Sequence, residues 1–291
     1  MKAGKQAKKE SMVLREVSTS TEKIMILVLT ILALIFIMPI AVVVMNSFKG
    51  KLYISSAPFE LPTAETFAGL ENYMNGIAKT GLPSAFGYSV FITVCSVLVI
   101  VIFTSMTAWY ITRVKTWWTK MLYFMFAFAM IVPFQMVMFP MSKIVNMLGL
   151  DNPIGIIIVY LGFGAGLSVF MFCGFVKAVP MEMEEAAMID GCNAIQIFFR
   201  IVFPILKPTA ITVAILNAMW IWNDYLLPYL LLGTDYMTIP IAIQYLQGGY
   251  GSIDMGAMMA MLVLAMIPII IFYLTCQKYI IKGVAAGAVK G

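Results

Sequence analysis

Glu185-Ala186-Ala187-Met188-Ile189-Asp190-Gly191 and, after nine further residues, Ile201-Val202-Phe203-Pro204 decide how this chain is read. The stretch lies between two long apolar segments, yet it opens with glutamates and its first run closes on glycine. Pro180 suits a first helical position, where a missing N–H costs nothing. Glu182, Glu184 and Glu185 complement the positive end of the helix dipole. Gly191 stops that helix, and Asn193 caps a second short one over 194–200, whose Ile195, Phe198 and Phe199 are large apolar groups outside the membrane. Three glutamates and Asp190 would be repelled by an anionic lipid surface, whereas small alanines beside an apolar ridge fit a protein groove. The plainer alternative is an ordinary interhelical loop lying on the bilayer. The pattern favours a compact knob that something outside the bilayer grips.

The composition places this knob in a membrane protein. Of 291 residues, 62% are hydrophobic and only 11% charged, against about a quarter charged in a soluble domain; the mean hydropathy is +0.95. The net charge of +5 comes from basic residues that flank apolar runs, so it is no nucleic-acid footprint. Histidine is absent, which excludes Ser-His and Cys-His triads, H-E-x-x-H zinc sites and histidine proton relays. Cys95, Cys173, Cys192 and Cys276 are scattered without a C-x-x-C pair and read as free thiols, with no metal site.

A spanning helix needs about 20 mostly apolar residues. Six runs qualify: 24–45, 85–111, 120–141, 153–175, 209–232 and 256–277. The first is too long for a signal h-region and reads as a retained anchor. The expected organisation is an N-terminal tail over 1–23, a six-helix transmembrane domain over 24–281 with the knob loop at 178–208, and a tail over 282–291. Of the 19 Lys and Arg, all but Lys49, Lys51, Lys79 and Lys143 fall before residue 24, in the 112–120 connection, in the 177–207 connection or from Lys278 onward. The positive-inside rule then puts both termini and the knob in the cytoplasm. On the other side, residues 46–84 are long enough for a small ordered cap. Residues 233–255 bring Gly248, Gly249, Gly251, Tyr236, Tyr245 and Tyr250, either to meet a polar ligand or as an interfacial aromatic belt. Pro39, Pro133, Pro140, Pro228 and Pro268 interrupt spans, as in helices that face other helices or a cavity.

The E-A-A, three residues, G, nine residues, I-x-L-P pattern resembles the EAA loop of bacterial ABC importer permeases, with Phe203 in place of the usual Leu. Trp222-Asn223-Asp224-Tyr225 and the tail Gln277-Lys278-Tyr279, Lys282-Gly283, Ala288-Val289-Lys290-Gly291 narrow the resemblance to MalG-like permeases of carbohydrate importers, along essentially the whole chain. The resemblance implies the all-α, MetI-like type I importer fold. It implies a second homologous permease, a cytoplasmic ATP-binding cassette ATPase dimer and an extracytoplasmic sugar-binding protein as partners, in the bacterial inner membrane. Glu185, Ala186, Ala187, Gly191, Ile201 and Pro204 then form the ATPase-coupling element, with Val289, Lys290 and Gly291 as a second ATPase contact. ATP and magnesium belong to the ATPase, because this chain has no G-x-x-x-x-G-K-[ST] sequence and binds no cofactor of its own. A di- or oligosaccharide is the expected substrate.

Asp224 is the lone charged residue in the apolar interiors of the six runs, Lys120 standing at an edge, and an intramembrane charge is functional by default. With Trp220, Asn223 and Tyr225 it forms either a gate or helix break at a permease interface, or a site that touches sugar through stacking and hydrogen bonds. The scattered Ser and Thr of the spans read as back-bonding or helix glue. An ion-coupled secondary transporter would need several buried ionisable groups or repeated broken helices, and an intramembrane enzyme a nucleophile–base pair or metal ligands. Neither is visible. A permease for a polyol or sugar phosphate is the nearer alternative.

Overall fold

The structure, a computed structural model, describes residues 19–246 and 254–288, with side chains described for 21–246 and 254–279. It is all helical, as the hydropathy pattern requires. α1 (Thr19–Ser47) is apolar all round and its residues 21–41 are exposed, the signature of a helix whose neighbours are lipid or another chain. Two short helices follow, α2 (Lys51–Ser56) and α3 (Glu71–Thr80), then the long α4 (Leu82–Arg113). α5 (Trp117–Ala129) and α6 (Phe134–Met147) form a bent pair, and α7 (Gly155–Val176) returns straight. The knob loop holds α8 (Met181–Ile189) and α9 (Ala194–Ile197). The chain then runs through α10 (Phe203–Asn223), α11 (Leu226–Leu232), α12 (Ile239–Tyr245) and α13 (Met255–Ala288).

The core lies where α4, α7 and α10 meet. Ile92, Ile100, Val169, Phe172, Leu206 and Val213 are buried there together. Gly164 permits the close approach: a Cβ on it would sit 2.7 Å from Ile100 and 2.8 Å from the Asn217 side chain. Asn217 in turn donates to the Ser168 hydroxyl and to the Val213 carbonyl. Thr104, Ser105 and Thr112 return their hydroxyls to carbonyls of their own helix turn, the back-bonding their scatter suggested, whereas the Ser89 hydroxyl accepts from the Ile239 amide.

Five helices among the described residues are long and apolar enough to cross a membrane, and the bent pair makes six. α5 and α6 meet at 109° because Pro133 has no N–H to continue the ladder and biases the residue before it away from helix. The run 120–141 is therefore a broken crossing rather than a straight rod. That it crosses once follows from Arg113, which bonds Glu184 and the Val179 carbonyl. The C-terminal ends of α4 and α7 thus share one face of the bundle, and the pair between them must return the chain to the other.

At that other face, residues 46–84 form the expected cap. An isolated bridge joins Lys49 to Phe67, Asn72 donates to the carbonyls of Ser47 and Lys49, both at 2.8 Å, and the fully buried Lys49 ammonium donates to the Ala57 carbonyl. The cap grips the start of α13: Lys79 pairs with Asp254, and Gly256 leaves room for Asn72, which a Cβ would meet at 2.3 Å. The C-terminal end of α1 and the N-terminal end of α13 are therefore neighbours, and their far ends point to the knob face.

One boundary differs from the sequence-based expectation. Residues 194–208 belong to the helix that becomes the fifth crossing, not to a loop, and that crossing ends at Asn223 instead of 232. A π-turn over Phe198–Val202 precedes Pro204. Its wider ring accommodates Pro204 without the usual clash, so Ala194–Asn223 runs as one 30-residue unit.

Candidate functional site

The knob is built by local chemistry that its sequence announced. Pro180 is the N-cap of α8, one position ahead of the first helical residue expected for it. Gly191 has φ +83°; its N–H bonds the Met188 carbonyl while the Cys192 N–H reaches back to Ala187. This is a Schellman stop, which needs a left-handed residue. Asn193 then opens α9 with a reciprocal capping box to Gln196. Glu185 and Ala186 are exposed, Ala187 is buried, Ile201 is half-buried and Pro204 exposed. Around them Met183, Met188, Ile189 and Ile195 are exposed, Ile189 at 86%. The loop therefore presents an apolar face edged by Glu182, Glu185 and Asp190.

Glu184 takes no part in that face. It is 3% exposed and turns inward to the last turns of α4. Arg113 donates to its Oε1 from Nε at 2.9 Å and from Nη2 at 2.6 Å, and the Trp109 indole donates to Oε2 at 2.9 Å. Arg113 Nη2 also bonds the Val179 carbonyl at 2.8 Å. Trp109 stacks obliquely on the buried Phe198, centroids 5.7 Å apart, and Phe198 meets Phe199 and Phe203. Neither Arg113 nor Trp109 was singled out from sequence. The available signal was a lone arginine ending an apolar helix.

The second cluster sits at the break between α10 and α11. Asp224 follows the last residue of α10, and its Oδ1 accepts from the amides of Leu226 and Leu227, at 3.0 and 3.4 Å. It thereby caps the restart of the chain. Pro228 falls in the first turn of α11, where its missing donor is harmless. The other oxygen accepts from the fully buried Tyr160 hydroxyl of α7 at 3.1 Å. Trp220, 41% exposed, packs edge-on against Tyr160; Asn223 is exposed and bonds back to the Met219 carbonyl; Tyr225 stacks on Tyr229 at 5.2 Å. Tyr160 thus links Asp224 and Trp220, while Asn223 and Tyr225 make their contacts elsewhere. Both oxygens of Asp224 are already engaged within the protein, which favours the helix-break reading of this residue over a free ligand for sugar. Beside the cluster, between α4, α10 and α13, lies an apolar cavity of about 320 Å³ lined by Thr93, Val97, Ala218, Trp222 and Phe272 among others.

Val289, Lys290 and Gly291 lie outside the described residues, as do Gly248, Gly249, Tyr250 and Gly251. Among the described residues no cluster of His, Cys, Asp or Glu could hold a metal.

The fold is that of a multi-pass helical membrane protein, and comparison with known proteins gives its class. Residues 100–286 match the family of binding-protein-dependent transport system inner membrane components, and the chain belongs to that family. Among curated relatives it is 40% identical over 261 residues to the probable starch degradation products transport system permease AmyC of Thermoanaerobacterium thermosulfurigenes, covering 89% of this chain and 94% of that protein. The multiple sugar-binding transport system permease MsmG of Streptococcus mutans is 37% identical, covering 90% and 95%. The melibiose/raffinose/stachyose import permease MelC of Bacillus subtilis is 31% identical, covering 96% and 100%. In fold it matches a chain of a bacterial ABC transporter that imports the acidic polysaccharide alginate, with a TM-score of 0.75 at 23% identity over 91% of this chain and 99% of that one. The MalG-like resemblance and the importer-permease fold are thereby borne out.

Proposed function

We propose that this chain is one of two permease subunits of an ATP-driven importer for a di- or oligosaccharide. It forms half of the translocation pathway and takes its drive from a cytoplasmic ATPase through the knob. The observation that carries this reading is the knob itself: an apolar, acid-edged face held rigid by a Schellman stop and a capping box, in a chain of the binding-protein-dependent family. Glu185 faces outward, available to a basic residue on the ATPase; Ala186 permits close approach, and Gly191 makes the turn. ATP and magnesium are held by the ATPase, and this subunit catalyses nothing. The knob and both termini face the cytoplasm in this reading, which the distribution of Lys and Arg supports. An extracytoplasmic binding protein delivers the sugar to the opposite face, and a heterodimer is the expected pairing. The sugar assignment rests on the relatives, which are named for starch products, multiple sugars and raffinose-type oligosaccharides. Asp224 with Tyr160, Trp220, Asn223 and Tyr225 forms a gate at the outer part of the pathway.

The test is affinity purification of the tagged chain from its native membrane, beside a Gly191→Arg variant. Recovery of a second permease and an ATPase, with only the ATPase lost in the variant, supports the reading, and the associated binding protein is then screened against oligosaccharides. Recovery of the chain alone, active in an ion gradient without ATP, overturns it in favour of a secondary carrier.

A further inference from the structure

We propose that Arg113 and Glu184, with the Trp109 indole, form a positioning strut that makes the coupling helix α8 and the span α4 move as one body. The proposal deepens the coupling reading above and rests on it. Of the acidic residues in the knob, Glu182, Glu185 and Asp190 are exposed and Glu184 alone is buried. Its two oxygens are both engaged, one by Arg113 and one by Trp109. The same guanidinium holds the Val179 carbonyl, so a single side chain at the end of α4 ties together the exit of α7 and the body of α8.

The mechanical consequence follows from connectivity. Along the chain, α8 passes through Gly191 and α9 into the π-turn and α10, and its packing is mainly against α9 and the π-turn. Its other end joins α7 through residues 177–180, and an element held only at its two ends can still roll about its own axis. The Arg113–Glu184 contact adds a side attachment to a further span, α4, which packs most extensively on α7 and next on α10. With that attachment a displacement or roll of α8 carries the α4–α7–α10 core with it. The fork geometry suits this role, since a guanidinium fixes direction as well as distance where an ammonium fixes only a point charge.

The experiment uses the complex purified with its ATPase, the four native cysteines replaced, and spin labels at Met181→Cys on α8 and Leu98→Cys on α4, both exposed positions. Distances are measured without nucleotide and after trapping with ATP and vanadate. The parent complex gives one narrow distance, the same in both states. Glu184→Ala loses that single population on trapping, because α8 follows the ATPase while α4 lags, and Arg113→Lys lies between the two. A single unchanged distance in Glu184→Ala after trapping overturns the strut. Where Glu184→Ala does not remain monodisperse, Arg113→Lys and Trp109→Phe give the same readout. A parent complex that brings no ATPase overturns the coupling reading instead, and the two failures are therefore distinct.

Discussion

The guanidinium of Arg113 places two of its N–H groups on one oxygen of Glu184, at 2.9 and 2.6 Å, and leaves the other oxygen to Trp109. Both side chains of the ion pair are largely buried, at 16% and 4% exposure. Breaking such a pair by removing one partner leaves an uncompensated charge and costs about 3–5 kcal/mol. Arg113→Ala should lower the thermal midpoint of the detergent-purified chain far more than Lys115→Ala. Equal midpoints would mean that the pair is not holding the loop.

Gly191 gives a cleaner separation between backbone and contact. A Cβ there meets no atom within 4 Å, but φ is +83°, and a left-handed L-residue costs about 1–2 kcal/mol. Gly191→Asn, which tolerates that region, should retain ATPase co-purification. Gly191→Val should lose it while still inserting in the membrane. Retention by the valine variant would show that the turn need not be preserved for docking.

Asp224 and Tyr160 make a third case. Tyr160→Phe leaves one carboxylate oxygen without its donor, an interaction worth about 1.5–3 kcal/mol when one partner is charged. Asp224→Asn keeps an oxygen for the Leu226 and Leu227 amides, whereas Asp224→Leu removes it and frees the break. Solute-stimulated ATP hydrolysis by the assembled complex should fall in the order Asn, then Leu. Full stimulation in Asp224→Leu would reduce the residue to packing.

The cap provides a pH test outside the membrane. Partial burial raises the Asp254 pKa, but the Lys79 ammonium, the Ala257 amide and the more distant charge of Lys51 outweigh it, and the net value lies below the usual carboxylate range. A lowered folded pKa means that the contribution to stability is complete above the ordinary carboxylate range and is lost as pH falls through the lowered value. Asp254→Asn keeps the oxygen that caps α13 and removes the charge. The parent should therefore lose stability on acidification more steeply than this variant, and parallel midpoints from pH 7 downward would count against the pair.

Spans, knob and cap were legible because each is written in neighbouring residues: unbroken apolar runs, glutamates before a glycine, a long polar segment between helices. The fifth span was misplaced because Arg200 and Lys207 interrupt the apolar run from which its start was read, and the π-turn that absorbs Pro204 has no sequence signature here. The partners of Glu184 and Asp224 were invisible for another reason. They lie 71 and 64 residues away in sequence, and only the packing of α4, α7 and α10 brings them within reach. The isolation of Asp224 in apolar sequence marked it out, while Glu184 stood among three other acids and carried no such mark.

The π-turn at Phe198–Val202 also sets an angular phase. One extra residue in a helical turn rotates everything downstream by about 100°, the angle each residue subtends at 3.6 per turn. The faces that carry Asn217 toward Ser168 and Trp220 toward Tyr160 are thus aimed by an insertion that lies at the foot of the knob. Deleting a single codon there would leave every side chain of the knob and of the break intact, and point them along incompatible bearings.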